Sequence, residues 1–130
     1  MIIIDASAMI EALVGRQADE ELLDALQGDL HAPHLLDVEV LSVLRGLTLS
    51  GKLVPMAAEQ ARMDHFAFTI ARYDLLGLAD RVWAIRANFT AYDASYLALA
   101  EALRAPLYTC DHKLAHGGHQ AQVKVFPRSQ

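Results

Sequence analysis

The chain has 130 residues, 54% of them hydrophobic and 21% charged, which suits one folded domain around one core and excludes a disordered chain. A net charge of −5 argues against a broad electrostatic grip on nucleic acid, although a bound divalent ion reverses the sign locally. Cys110 is the only cysteine, the N-terminus has no basic leader, and no apolar run is long enough to cross a bilayer, so the expectation is a cytoplasmic protein without an internal disulfide.

Ile2-Ile3-Ile4 reads as a short strand buried on both faces, as in a parallel sheet, and it ends on Asp5. Ser7 is placed to cap a helix over 8–14, which Gly15 stops. Leu22, Leu23 and Leu26 carry helical spacing across 19–27, and Gly28 ends it. Leu30-His31-Ala32 predicts a very short strand before Pro33. A long helix follows over 35–50, with Leu36, Val40, Val43, Leu44 and Leu47 as its inner stripe. Pro55 opens another helix to about His65, since proline suits a first turn.

Phe68-Thr69-Ile70 predicts a third strand, and 74–87 a helix carrying Leu75, Leu78, Val82, Trp83 and Ile85. Trp83 and Tyr73 are expected in the core. Thr90 or Ala91 starts a helix through Leu103, with Leu97, Ala100 and Leu103 inward. Pro106 to Cys110 is a strand ending on Asp111, a helical turn leads to Gly117-Gly118, and Val123 to Phe126 is the last strand. Short strands alternating with helices imply a parallel sheet of four to five strands, and the two-helix crossovers imply a three-layer α/β/α sandwich forming a single domain over 1–130.

Ligands of open α/β sheets sit outside the carboxyl ends of the strands. Asp5 and Asp111 each stand at such an end, side by side if their strands are neighbours. Glu39 lies at the edge of the long helix's apolar stripe, next to the small residues Ser42 and Gly46. Asp93 lies in the first turn of its helix, where the dipole favours an anion. Each acid alone is adequately explained as a turn, cap or rim residue. Carboxylates that share one site repel unless a cation neutralises them, and an all-oxygen set suits Mg²⁺ or Mn²⁺. Such clusters serve phosphoryl chemistry.

The sequence resembles PIN-domain ribonucleases, and among them the VapC-type toxins of bacterial toxin–antitoxin pairs. The resemblance rests on Ile4-Asp5-Ala6-Ser7, on Glu39 in Glu-Val-Leu-Ser-Val-Leu-Arg, on Thr90-Ala91-Tyr92-Asp93-Ala94, and on Thr109-Cys110-Asp111. It implies that Asp5, Glu39, Asp93 and Asp111 form an acidic quartet holding Mg²⁺ or Mn²⁺, with Ser7, Thr109 and Ser42 as supporting polar groups. Ser42 stands where relatives often carry Asn, and Cys110 where they often carry Ala. The implied activity is an endoribonuclease acting on structured RNA of the tRNA or rRNA class. The implied partners are a small VapB-like antitoxin that blocks the pocket and a second copy of the chain.

Other readings compete. His112, His116 and His119 after Cys110 could suggest a zinc site, but Gly117-Gly118 interrupts the helix, and solvated loop histidines are expected. An aspartyl-phosphate phosphatase would need Asp where Ser7 stands. The alternative is a non-catalytic receiver-like or scaffold domain with an acidic metal pocket, and acids on helices, as Glu39 and Asp93 are, fit a metal nuclease better. Arg45 and Arg86 could touch an RNA backbone, with Arg45 expected on a solvated face.

Overall fold

The computed structural model describes residues 1–129. The elements are β1 (Ile2–Ile4), α1 (Ala6–Val14), α2 (Glu20–Ala25), β2 (Leu30–Pro33), α3 (Leu35–Leu49), α4 (Pro55–Ala67), β3 (Ile70–Tyr73), α5 (Ala79–Ala84), α6 (Ala91–Leu103), β4 (Leu107–Thr109) and β5 (Val123–Val125). Short 3₁₀ turns precede α5 at Leu76–Leu78 and follow β4 at His112–Ala115.

The strands form one sheet in the order β3-β2-β1-β4-β5, every pair parallel. From β1 the chain steps outward to β2 and β3, then returns past β1 to β4 and β5. Because crossovers between parallel strands are right-handed, this reversal puts α1–α4 over one face and α5–α6 over the other. The packing agrees: α1, α3 and α4 lie against one another, and α5 lies against α6. The sheet between them carries Ile3, Ile4 and Leu107, all fully buried. Helix α6 is buried along Ala94–Ala100, because its small residues let it sink onto β1, β2 and β4.

Several local expectations are corrected. Ser7 does not cap α1; Asp5 does, its carboxylate accepting the Ala8 N–H, so the helix begins at Ala6. Strand β3 starts at Ile70 rather than at residue 68, because α4 runs on to Ala67 and Phe68 closes it in extended conformation. The helix expected over 74–87 is a 3₁₀ turn followed by the short α5. Trp83 is not core but 67% exposed, with the Arg86 guanidinium 4.5 Å from its ring centre. The buried line toward α6 is Leu78, Val82, Ile85 and Phe89, and Trp83 is turned roughly 140° from Leu78 at 100° per residue. Leu75, ahead of the first turn, is also exposed. On α3 the core line narrows to Leu36, Val40 and Leu44, leaving Val43 exposed and Leu47 half-buried. Tyr73 is half-buried and bonds His31 through its hydroxyl.

Candidate active site

The strand order reverses between β1 and β4, and the carboxyl edge of the sheet at such a reversal is the usual ligand position in doubly wound sheets. Asp5 follows β1 directly, and its N–H bonds the Tyr108 carbonyl of β4 at 3.1 Å. Asp111 stands two residues beyond β4. Helix α3 leaves the same edge, because it follows β2. Helix α6 begins at that edge, because it runs back antiparallel to the strand it feeds. The topology thus brings Glu39, in the second turn of α3, and Asp93, in the first turn of α6, to one end of the sheet from opposite faces.

Asp5 is the best anchored of the four. Its Oδ1 accepts from Ala8 N at 2.9 Å and from Ser7 Oγ at 2.7 Å, while the Thr109 hydroxyl donates to Oδ2. Thr109 Oγ1 in turn accepts from Asp111 N at 2.9 Å, so one buried hydroxyl ties two of the acids together. Ser7 Oγ also accepts from Cys110 N at 2.8 Å, locking α1 to the end of β4. Burial raises the Asp5 pKa in spite of these bonds, and the charge of Glu39 adds to the rise.

Glu39 is half-buried, and its Oε1 accepts from the Tyr96 hydroxyl at 2.6 Å, a bond that crosses from α6 to α3. Desolvation raises the Glu39 pKa, Tyr96 opposes it, and the charge of Asp93 adds to it. The Asp93 pKa is raised by burial, lowered by Lys113, and raised again by Asp111. Asp111 accepts from Lys113 N at 3.0 Å, and Lys113 Nζ lies 3.7 Å from its Oδ2. The repulsions therefore form a continuous series, Asp5 with Glu39, Glu39 with Asp93, Asp93 with Asp111. Tyr96 was not singled out from sequence for this role, although its position three residues after Asp93 places the two on one helix face.

Among the described residues no three Asp, Glu, His or Cys side chains are already gathered tightly enough to hold one ion unaided. The donor set is all oxygen, and three of its carboxyls are pushed toward neutrality by burial and mutual repulsion, so a hard dication fits it. Ser42 is exposed on α3, and no hydrogen bond among the described residues ties it to the acids. His119 has both ring nitrogens engaged, with Leu114 O at 2.7 Å and Ala121 N at 3.0 Å, which takes it out of any zinc set with His112 and His116. Cys110 is buried beside Asp5, and its thiol is pushed up to about 11, chiefly by burial.

The PIN domain family model matches residues 2–119, a span that contains all four acids. The chain belongs to the PIN-domain family. A curated relative, "VapC ribonuclease Mb0985" of Mycobacterium bovis, is 42% identical over 129 residues, covering 98% of this chain and 100% of the relative. Among solved structures, this PIN domain superposes on the sarcin-ricin loop cleaving toxin VapC20 of Mycobacterium tuberculosis with a TM-score of 0.68 and 12% identity, covering 92% of this chain and 97% of that one. It matches a toxin–antitoxin complex chain from Klebsiella pneumoniae with a TM-score of 0.64 and 22% identity over the full length of both. At those identities the two structures speak to the fold, which is a PIN-like α/β/α sandwich.

Proposed function

We infer that this PIN-domain protein is an endoribonuclease that hydrolyses RNA phosphodiester bonds at the Asp5, Glu39, Asp93 and Asp111 pocket. The observation that carries the reading is the convergence of four carboxylates on the carboxyl edge of the sheet at the strand-order reversal, Asp5 and Asp111 from β1 and the segment after β4, Glu39 and Asp93 from one helix of each face, tied together by the Thr109 and Tyr96 hydroxyls. Asp5, Asp93 and Asp111 would hold Mg²⁺ or Mn²⁺, directly or through water. Such an ion lowers the pKa of water and offsets the charge of the scissile phosphate.

The chain's own groups do the rest. Ser7, Thr109 and the Ala8 N–H fix the Asp5 carboxylate in one orientation. Tyr96 occupies Oε1 of Glu39, which leaves Oε2 to accept the proton of the attacking water. A carboxyl with a raised pKa is better suited to that work than an ordinary one, because its proton affinity lies nearer the operating pH. The family resemblance and the VapC relative support RNA as substrate and the cytoplasm as location. They also support a homodimer held inactive by a small antitoxin, whose inserted Arg would pair with the acids through its planar fork. No helix is long and apolar enough to cross a membrane.

The test uses purified protein with structured RNA in Mg²⁺ or Mn²⁺, comparing the wild type with Asp5→Asn and Asp93→Asn. Both variants should keep their circular dichroism and lose cleavage. Wild-type rates in either would remove the pocket from the reaction.

A further inference from the structure

A cavity of about 500 Å³ opens beside Ser7, the residue whose hydroxyl is bonded to Asp5. It follows α1 from Ser7 to Gly15, roughly 12 Å at 1.5 Å per residue. Its rim carries Arg16, Lys52 and Arg128, brought together from the end of α1, the α3–α4 connection and the C-terminal segment. All three are exposed. Among the described residues none of them is in an ion pair, whereas Arg62, Arg72, Arg81, Lys113 and Lys124 each face a carboxylate. Arg86 is stacked on Trp83. Half of the six Lys and Arg side chains that are in no ion pair among the described residues are therefore collected at one cavity, the others being Arg45, Arg86 and Arg104.

The convergence is built into the fold. Arg128 is brought there by its neighbour Ser129, whose N–H donates to Glu11 Oε1 at 3.0 Å and whose hydroxyl donates to Oε2. Ser129 Oγ also accepts from Gln17 N at 3.0 Å. Glu11 is buried, the only acid on the cavity wall among the described residues, and both its oxygens are used in this anchor. Gly15 is required beside it, since a Cβ there would collide with the Glu11 side chain and carbonyl.

We propose that this cavity binds the phosphodiester backbone of the RNA next to the scissile bond, with Arg16, Lys52 and Arg128 as its phosphate ligands. The proposal rests on the nuclease reading above. A chain of charge −5 repels a polyanion over most of its surface, and the acidic pocket repels it further. A strand must be held by positive charge placed beside that pocket, and this cavity starts one side chain away from Asp5. Contacts of this kind position a strand and carry no sequence information.

The experiment is the salt dependence of binding, measured by fluorescence anisotropy with a labelled single-stranded RNA and a labelled stem-loop, on an Asp5→Asn background so that the RNA stays intact. The test variant is Arg16→Ala/Lys52→Ala/Arg128→Ala. The control, Arg62→Ala/Arg104→Ala/Lys124→Ala, makes the same change in net charge elsewhere. Three lost phosphate contacts should flatten the log–log salt slope by about 2 on single-stranded RNA, which makes the affinity lost between 50 and 200 mM salt about 15- to 20-fold smaller than for the parent. The control should keep the parent slope. With both variants folded by circular dichroism, an unchanged slope in the test variant, or an equal drop in the control, overturns the proposal and leaves the cavity to an acidic protein segment. Cleavage by the protein carrying Asp5 is followed in parallel; if it cuts no RNA, the nuclease reading fails, whereas cleavage with an unchanged slope removes the cavity alone.

Discussion

Thr109 is the most informative single position in the pocket. Its hydroxyl is fully buried, donates to Asp5 Oδ2 and accepts from Asp111 N at 2.9 Å. Thr109→Val keeps the side chain's shape and removes both bonds. A hydrogen bond to a buried charged group contributes about 1.5–3 kcal/mol, while water can replace the bond to the half-buried Asp111 amide. The expected loss is about 2–3 kcal/mol at neutral pH, or about 8–12 °C in Tm for a chain of this size. The sign with pH follows from the role of the bond. Thr109 favours ionised Asp5, so its removal raises an already raised pKa. The variant's folded state then takes up a proton at higher pH than the wild type's. The stability gap is full above both titrations and shrinks as pH falls through them. Urea melts of wild type, Thr109→Val and Thr109→Ser across pH 4–8 measure this, with Thr109→Ser keeping the hydroxyl and losing only a methyl. A gap under about 0.5 kcal/mol, or one that does not vary with pH, would refute the assignment of Thr109 as the bond holding ionised Asp5.

Three further expectations follow from other contacts. Tyr96→Phe removes the donor that lowers the Glu39 pKa, so the acid limb of the cleavage pH–rate profile should move upward and the loss of rate should be largest at low pH; an unchanged profile excludes Glu39 as the base. Asp37 accepts from Arg72 Nε at 2.7 Å and from the buried His65 at 2.7 Å, bonds that outweigh its desolvation and hold its pKa below the usual carboxylate range. Its stabilisation is present above that range and lost as pH falls through the lowered pKa, so Asp37→Asn should cost about 2–4 kcal/mol at pH 7, with the urea-midpoint gap closing in acid. Gly15→Ala should displace Glu11 and destabilise the fold by about 1–3 kcal/mol, and it should speed tryptic release of the last two residues after Arg128, read by mass spectrometry.

The parallel sandwich could be read from the sequence because short apolar runs and Pro- or Gly-bounded helices are local signals, and Asp5 and Asp111 because each follows a short strand within two residues. Their adjacency was only conditional until the order β2-β1-β4 fixed it. What failed was apolar identity taken for position: Trp83 is large and apolar, but the spacing of Leu78, Val82 and Ile85 already turned it outward. Ser7 misled for a different reason. Ser and Asp are both good caps, and which one caps depends on Cys110 N, a partner 103 residues away that draws the Ser7 hydroxyl toward β4. The Tyr96–Glu39 bond, the Glu11 anchor and the gathering of Arg16, Lys52 and Arg128 are long-range pairings of that kind, and no local pattern announces them.

The reversal of strand order has a consequence for the protein's birth. Asp5 is made about a hundred residues before the strand that must lie beside it, with Thr109 on that strand and Asp111 just after it. A ribosome-bound fragment lacking residues 107–111 owns three of the acids and neither the strand nor the hydroxyl that aligns the first of them. A fragment without that segment is expected to cut no RNA, because the Asp5 carboxylate has lost the partner that orients it.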